Sequence, residues 1–280
     1  MQNDTITYIT AKKKLFNINF RELWNYRDLV LLFVKRDLVN SYKQTVLGPI
    51  WILINPLLST TVFTVIFGVI AQISTDGMPQ FLFYMSGNIL WGFFSSCLNR
   101  GSGTFLGNAR IFGKVYFPRL IMPIAGMVYN FINFALQTTL YIVLVIVYTL
   151  IGTNVHPNAV IAFVPLLILQ TALLGTGIGL IVSSITTKYR DLNILVSFGL
   201  SLLMYITPVV YPVSKVPDTF RWLMLLNPVA PIVETYRYAF LGCGDFHWVY
   251  WIASLVFTAL VLLVGLSVFG RVERNFIDTV

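Results

Sequence analysis

The sequence predicts an all-α polytopic membrane protein with six transmembrane helices, an N-terminal amphipathic interface helix, and re-entrant helices between spans five and six. Three observations carry that prediction. Of the 280 residues, 57% are apolar and only 11% charged, against about 45–50% and about 25% in soluble domains. No Asp, Glu, Lys or Arg occurs between Arg119 and Lys188, a gap of 68 residues, and a ~30 Å hydrocarbon core takes only about 20 helical residues. The remaining charges segregate by loop. Together these exclude a water-soluble globule, and the alternating ten-residue segments of a membrane β-barrel are missing.

Reading the charge-free apolar stretches in order gives the spans Leu47–Gln72, Phe81–Cys97, Leu120–Ile151, Val160–Ile185, Leu192–Val213 and Trp248–Gly270. The third is longer than a bilayer needs, so it tilts or projects. The division is then residues 1–46 as a cytoplasmic segment, 47–270 as the membrane domain and 271–280 as a tail. Before span one, Phe20, Leu23, Trp24, Leu31, Val34 and Leu38 recur at helical spacing among Arg21, Glu22, Arg27, Asp28, Lys35 and Arg36. That pattern suits a helix lying on the membrane surface, and equally a partner-binding helix.

Orientation follows from Lys and Arg, which cytoplasmic loops retain. The segments before span one, between two and three, between four and five, and after six hold eight, four, two and two of them; the opposite loops hold none, none and three (Lys215, Arg221 and Arg237). Sixteen against three places both termini in the cytoplasm. The net charge of +8 resolves into +9 on the cytoplasmic face and −1 outside, because seven acidic residues lie inside and four outside. A basic balance arranged in this way reads as membrane orientation, with no nucleic acid implied.

Between spans five and six, Pro208, Pro212, Pro217, Pro228 and Pro231 interrupt two short apolar stretches, Phe220–Leu226 and Ile232–Leu241. Each is too short to cross. Two half-helices dipping into the outer leaflet fit this pattern, as does a structured outer loop. Because irregular backbone at membrane depth needs protein or water beside it, Pro208, Tyr211, Pro212, Pro228, Glu234 and Arg237 are candidate outer-gate residues. Glu234 and Arg237 are three residues apart and within pairing reach.

The chemistry that is missing is informative too. The expected spans contain no Asp, Glu, Lys, Arg or His, so nothing there binds and releases a coupling ion, and no nucleophile–base pair marks a catalytic centre. His156 and His247 are too far apart in sequence to suggest a metal pair, and no metal site is expected. Gly107–Lys114 reads GNARIFGK, with five residues between the glycines instead of four and Val115 where a phosphate loop needs Ser or Thr. ATP binding by this chain is not expected. Gly101, Ser102 and Gly103 form a connector without the acid and base of a serine enzyme. Cys97 and Cys243 are too few for a disulfide framework. No apolar stretch of signal-peptide length follows Lys12–Lys14 before Arg21, so no cleaved leader is expected.

What remains is a basic, glycine-broken cytoplasmic loop, Leu98–Pro118, with a helix-compatible piece around Asn108–Tyr116. Arg110, Ile111, Phe112 and Lys114 set charge beside apolar anchors, which suits docking on a soluble protein and equally contact with anionic lipid. The Tyr189–Arg190–Asp191 turn has the same two uses. Trp51, Trp248, Tyr250 and Trp251 fit interfacial belts. Phe63, Phe67, Tyr84, Trp91, Phe93 and Phe94 lie deeper, where they pack helices, face lipid, or line a lumen in which a sugar polymer slides over aromatic faces.

Four segments add up to a resemblance: RDLVNSYKQTVLGPIWILINPLL (Arg36–Leu58), NARIFGKVYFPRLIMPI (Asn108–Ile124), YRDLN (Tyr189–Asn193) and NPVAPIVETYR (Asn227–Arg237). In order and spacing these resemble the polysaccharide-export permeases of type-2 ABC transporters, whose members export O-antigen, capsule and teichoic acid. The resemblance implies a half-transporter in the bacterial inner membrane, working as a homodimer with two copies of a separate ATPase that carries the ATP and magnesium. It implies that Asn108–Lys114 is the coupling helix seated in that ATPase, and that Phe220–Leu241 forms the outer gate. It further implies a lipid-linked glycan substrate, with an undecaprenyl diphosphate or related carrier. Arg100, Arg110, Lys114 and Arg119, all on the cytoplasmic side, are candidate diphosphate contacts. Rival readings are a type-2 permease for drugs or other lipids, and, from another class, a membrane scaffold or a polyprenyl-sugar enzyme.

Overall fold

The computed structural model describes residues 20–43, 45–220, 226–244 and 246–275. Every regular element among these residues is helical: α1 (Phe20–Asn25), α2 (Arg27–Tyr42), α3 (Trp51–Phe63), α4 (Gln80–Ser102), α5 (Thr104–Phe112), α6 (Ile121–Leu150), α7 (Val164–Thr186), α8 (Leu192–Ile206), α9 (Ala230–Leu241) and α10 (Trp248–Asn275). By length and composition, five stretches among the described residues can cross a bilayer: Gly48–Ile70, Gln80–Ser102, Ile121–Leu150, Ala159–Thr186 and Trp248–Glu273. These coincide with expected spans one to four and six. At 30 residues, α6 is ~45 Å long and overreaches the hydrocarbon core. The first of the five continues from α3 into a π-helical stretch, Thr64–Ile70.

The expected fifth span differs. Of Leu192–Val213 only Leu192–Ile206 is α-helical, 15 residues or ~22 Å of a ~30 Å core. The cause is Pro208, which disfavours helical backbone at the residue before it, and Thr207 accordingly turns extended with ψ 140°. A turn follows over residues 207–209. The Tyr211 hydroxyl donates to the carbonyls of Tyr205 and Ile206 at 3.2 and 2.8 Å, closing the open end of α8.

The core is built around α4, which α3, α6, α7 and α9 surround and which buries Leu82, Phe83, Tyr84, Leu90 and Phe94 completely. On its other side α7 packs against α10. Small residues permit both approaches. A Cβ on Gly179 would lie 2.6 Å from the Leu98 carbonyl oxygen of α4, and one on Gly265 of α10 would lie 2.6 Å from the Gly177 carbonyl oxygen. Alternate positions of the GTGIG run thus serve two neighbours. Large apolar residues such as Leu58, Ile146, Phe198 and Leu260 are left exposed on the outer faces, as a lipid solvent allows.

Before span one, the expected single helix is two, broken at Tyr26. Phe33 and Val34 are buried against Phe117, Ile121, Met122 and Ala125 around the start of α6, with Leu23 and Leu38 half-buried beside them. Trp24 and Leu31, expected on the same apolar face, are 69% and 62% exposed. The face is therefore split between protein contact and the surface.

Candidate functional site

The Leu98–Pro118 loop contains a helix, but not where the residue types suggest. It spans Thr104–Phe112 and is capped at Gly113, so the expected piece around Asn108–Tyr116 begins a turn earlier and stops before Lys114. Thr104 and Phe105 fix that start. The Thr104 hydroxyl donates to the Gly101 carbonyl at 2.8 Å, and the Phe105 N–H donates to Ser183 Oγ of α7 at 3.2 Å. The Phe105 ring is fully buried and stacks on Phe269 of α10 at 4.5 Å. Asn108 turns inward, donating to the Thr104 carbonyl at 2.9 Å, while Ile111 and Phe112 are half-buried against the α2–α6 cluster. Arg110 and Lys114 are exposed, with Val115 and Tyr116 beyond them. Tyr189, Arg190 and Asp191 are exposed in the turn that follows α7, at the end of that helix where Ser183 meets α5. One end of the molecule thus presents α5, bolted to α7 and α10, with exposed Arg110 and Lys114 beside a second exposed turn.

The expected four-residue basic cluster does not form. Arg119 is buried: its backbone N–H donates to the Glu273 carboxylate at 2.9 Å, and its guanidinium donates to the Glu273 carbonyl. It joins the start of α6 to the end of α10. Arg100 instead donates to Asp37 Oδ2 at 2.6 Å and lies 3.9 Å over the Tyr129 ring. The same carboxylate receives Arg36 through Nε and Nη2 at 2.9 and 2.8 Å. Arg36 and Asp37 were not singled out as site residues from the sequence. Their adjacency in the Arg36–Leu58 run is visible there, but Arg100 lies 63 positions away.

At the other end, α9 is held tightly. Asn227 accepts from the Val229 N–H at 3.0 Å and donates to Thr207 Oγ1 at 2.8 Å, tying the α9 start to the break after α8. Pro228 offers its carbonyl to the Ser254 hydroxyl of α10 at 2.6 Å. The α9 end is capped by the loop after α6: the His156 and Asn158 N–H groups donate to the Leu241 and Ala239 carbonyls, both at 3.1 Å. Gly242, at φ 73°, must be glycine, because a Cβ would lie 2.7 Å from the His156 carbonyl oxygen. Arg237 is only 2% exposed. Its Nη2 donates to the Val209 carbonyl at 3.0 Å, its Nε to Ser86 Oγ at 3.3 Å, and its plane lies 3.7 Å over the Phe83 ring. One side chain from α9 thereby grips both α4 and the α8 break. Pro208 is buried in that break, whereas Pro212, Pro228, Glu234 and Arg237 line a cavity of about 430 Å³ that reaches Tyr250 and Phe257 of α10. Tyr211 stands beside it as the α8 cap. Of the first expected half-helix, Phe220–Leu226, residues 221–225 lie outside the described residues.

The six candidate conduit aromatics separate. Tyr84, Trp91, Phe93 and Phe94 are buried in the core of a single chain, where Trp91 packs on Phe94 and Phe93 on Phe134 at 5.4 and 4.4 Å. They pack helices in this conformation. Phe63 and Phe67 are half-buried on α3 and its π-helical continuation, 5.6 Å apart, and remain partly open.

Residues 28–241 match the family described as ABC-2 type transporter. The chain belongs to this family. Among curated ABC-2 relatives it is 28% identical to the O-antigen export system permease protein RfbA of Klebsiella pneumoniae over 253 residues, covering 90% of this chain and 94% of that protein. It is 31% identical to the RfbA of Myxococcus xanthus, over 79% of this chain and 83% of that one. It is 24% identical to the polysialic acid transport protein KpsM of Escherichia coli, over 87% and 93% of the two chains. The ABC-2 match takes in α2 from Asp28 onward, α5 and α9, so the coupling and gate candidates fall inside it and the α1 part of the interface candidate does not.

Proposed function

We propose that this ABC-2 chain is the membrane subunit of an ATP-driven exporter that moves a lipid-linked polysaccharide, of O-antigen type, across the bacterial inner membrane. The observation that carries the reading is the match to O-antigen export permeases along nine tenths of the chain. Two copies pair with each other and with two copies of a separate ATPase, which holds the nucleotide and magnesium. Exposed Arg110 and Lys114, with the Tyr189–Asp191 turn, meet that ATPase, and the bolting of α5 to α7 and α10 passes its movement into the spans.

Six crossings with both termini cytoplasmic complete the proposal. Charge segregation supports it, and so does the Arg119–Glu273 bond, which sets the start of α6 beside the end of α10. Those two ends share a membrane side only if the chain crosses an even number of times from α6 to α10. With α6, α7 and α10 each crossing, α8 and the turn after it must make the fourth crossing. The grip of Arg237 on the α8 break supports reading α9 as a gate element at the outer end. The Tyr84 hydroxyl is buried there without a hydrogen-bond partner among the described residues. Such a group costs about 1–3 kcal/mol, so a movement of α9 that wets it is correspondingly cheaper. Phe63 and Phe67 are left as the conduit aromatics.

Isolation of the complex from native membranes, with mass spectrometry of its bound lipid, tests the cargo. A lipid-linked glycan is expected; a sugar-free amphiphile in its place contradicts the assignment and favours a drug or lipid permease.

A further inference from the structure

Two cavities abut beneath the N-terminal helix. The first, about 380 Å³, is framed by Arg36, Asp37, Asn40 and Ser41 of α2, Arg100 of α4, and Asn108 of α5. The second, about 300 Å³, lies among Tyr42, the α3 residues Trp51 and Asn55, and the α6 residues Tyr129, Asn133 and Gln137. Ser41 of the first is hydrogen-bonded to the Tyr129 hydroxyl of the second at 2.7 Å, and Arg100 stacks on that same ring. Tyr129 is therefore a shared wall.

Their chemistry differs in a way that suits one two-part ligand. In the first, two guanidiniums share a single carboxylate, leaving a net positive charge and surplus donors beside the amide donors of Asn40 and Asn108. That is anion-binding chemistry. In the second, three amides project from membrane-spanning helices. Tyr42 donates to Asn133 Oδ1 at 3.1 Å and Gln137 donates to the Ile52 carbonyl at 3.2 Å, which leaves the Asn133 Nδ2 donors and the Gln137 acceptor available. Asn55 is exposed and makes no side-chain hydrogen bond among the described residues. Open amides on spans are costly against lipid, and amides beside aromatic faces match sugar hydroxyls and C–H faces.

We propose that the two cavities form one site for the head group of a phosphate-linked sugar lipid, with the phosphate against Arg36 and Arg100 and the first sugar against Asn55, Asn133 and Gln137. The proposal rests on the glycan-export reading and names where its substrate is first held. The phosphate contact moves from the expected set of four basic residues to Arg100 together with Arg36.

The test is binding of three fluorescent probes to the full permease–ATPase complex in nanodiscs: a prenyl diphosphate disaccharide, the bare prenyl diphosphate, and phosphatidylglycerol, with inorganic phosphate as competitor. The Arg36→Gln/Arg100→Gln variant is expected to weaken both prenyl probes by about tenfold or more. Asn133→Leu, an apolar change that a membrane helix tolerates, is expected to weaken only the disaccharide, by about fivefold. Thermal melting of each variant separates lost binding from lost folding. Equal loss of both probes in Asn133→Leu, unchanged binding in the arginine variant, or displacement by phosphatidylglycerol or phosphate as readily as by the disaccharide overturns the site. Surface glycan in cells separates the two failures: if export continues while both variants bind normally, the site is wrong and the function stands. If deleting the chain leaves surface glycan intact, the function itself is wrong.

Discussion

At the scale of single residues, Arg237 shows how a buried charge among apolar helices is kept. Its guanidinium stacks on Phe83 and donates to two different elements, so its burial is compensated by a ring face and two acceptors. Lysine would keep the charge and lose the planar fork. Arg237→Lys is expected to lower stability by about 1–3 kcal/mol, read as a lowered Tm in detergent, and to reduce export in step. A Tm equal to the unsubstituted protein's would show that the fork is not what holds α9. The sequence flags Arg237 as a rare outer-face cation within turn of Glu234, but Val209, Ser86 and Phe83 as its partners depend on how α4, α8 and α9 come together.

Within elements, local signals locate helices well and their ends less well. The spans are legible because lipid demands long apolar runs, and α8 ends early because one proline acts on its preceding residue. The shift of α5 to Thr104–Phe112 has a non-local cause, since Phe105 and Ser183 are 78 positions apart. The split of the N-terminal helix face has the same origin in packing on α6. The α7 glycines permit close helix contacts rather than supply flexibility: Gly179→Val drives methyl groups into the Leu98 carbonyl, and overpacking of this kind costs about 1–3 kcal/mol. Purified yield and Tm should fall, whereas Gly270→Ala, with nothing within 4 Å of its added Cβ, should be neutral or slightly stabilising. Equal Tm values for the two variants would contradict the close-contact account. For α5, Arg110→Glu with Lys114→Glu is expected to cut co-purification of the ATPase about tenfold, because like-charge contacts replace attractive ones. Membrane content and Tm should not change, since both side chains are exposed. Undiminished co-purification would remove α5 from the ATPase contact.

For the whole molecule, the scarcity of charge organises everything else. In the sequence, sixteen basic residues on the expected cytoplasmic face underlie the proposed orientation, and the expected spans hold no ionisable group to couple to, which supports the proposal that a partner supplies the energy. The family was legible in four dispersed segments, which fall on α2 with the α3 start, α5 and the start of α6, the turn after α7, and α9. Of the two proposed phosphate contacts the sequence suggests Arg100 and not Arg36, because a pair bridged by one carboxylate is a property of the packed chain. The most direct measurement is reconstitution of the permease and its ATPase in proteoliposomes carrying a fluorescent lipid-linked glycan on one leaflet. Transfer of the glycan across the bilayer is predicted with ATP and is expected to stop when the ATPase is made unable to hydrolyse it. Transfer that persists unchanged with the inactive ATPase, or hydrolysis that never moves the glycan, would contradict the account.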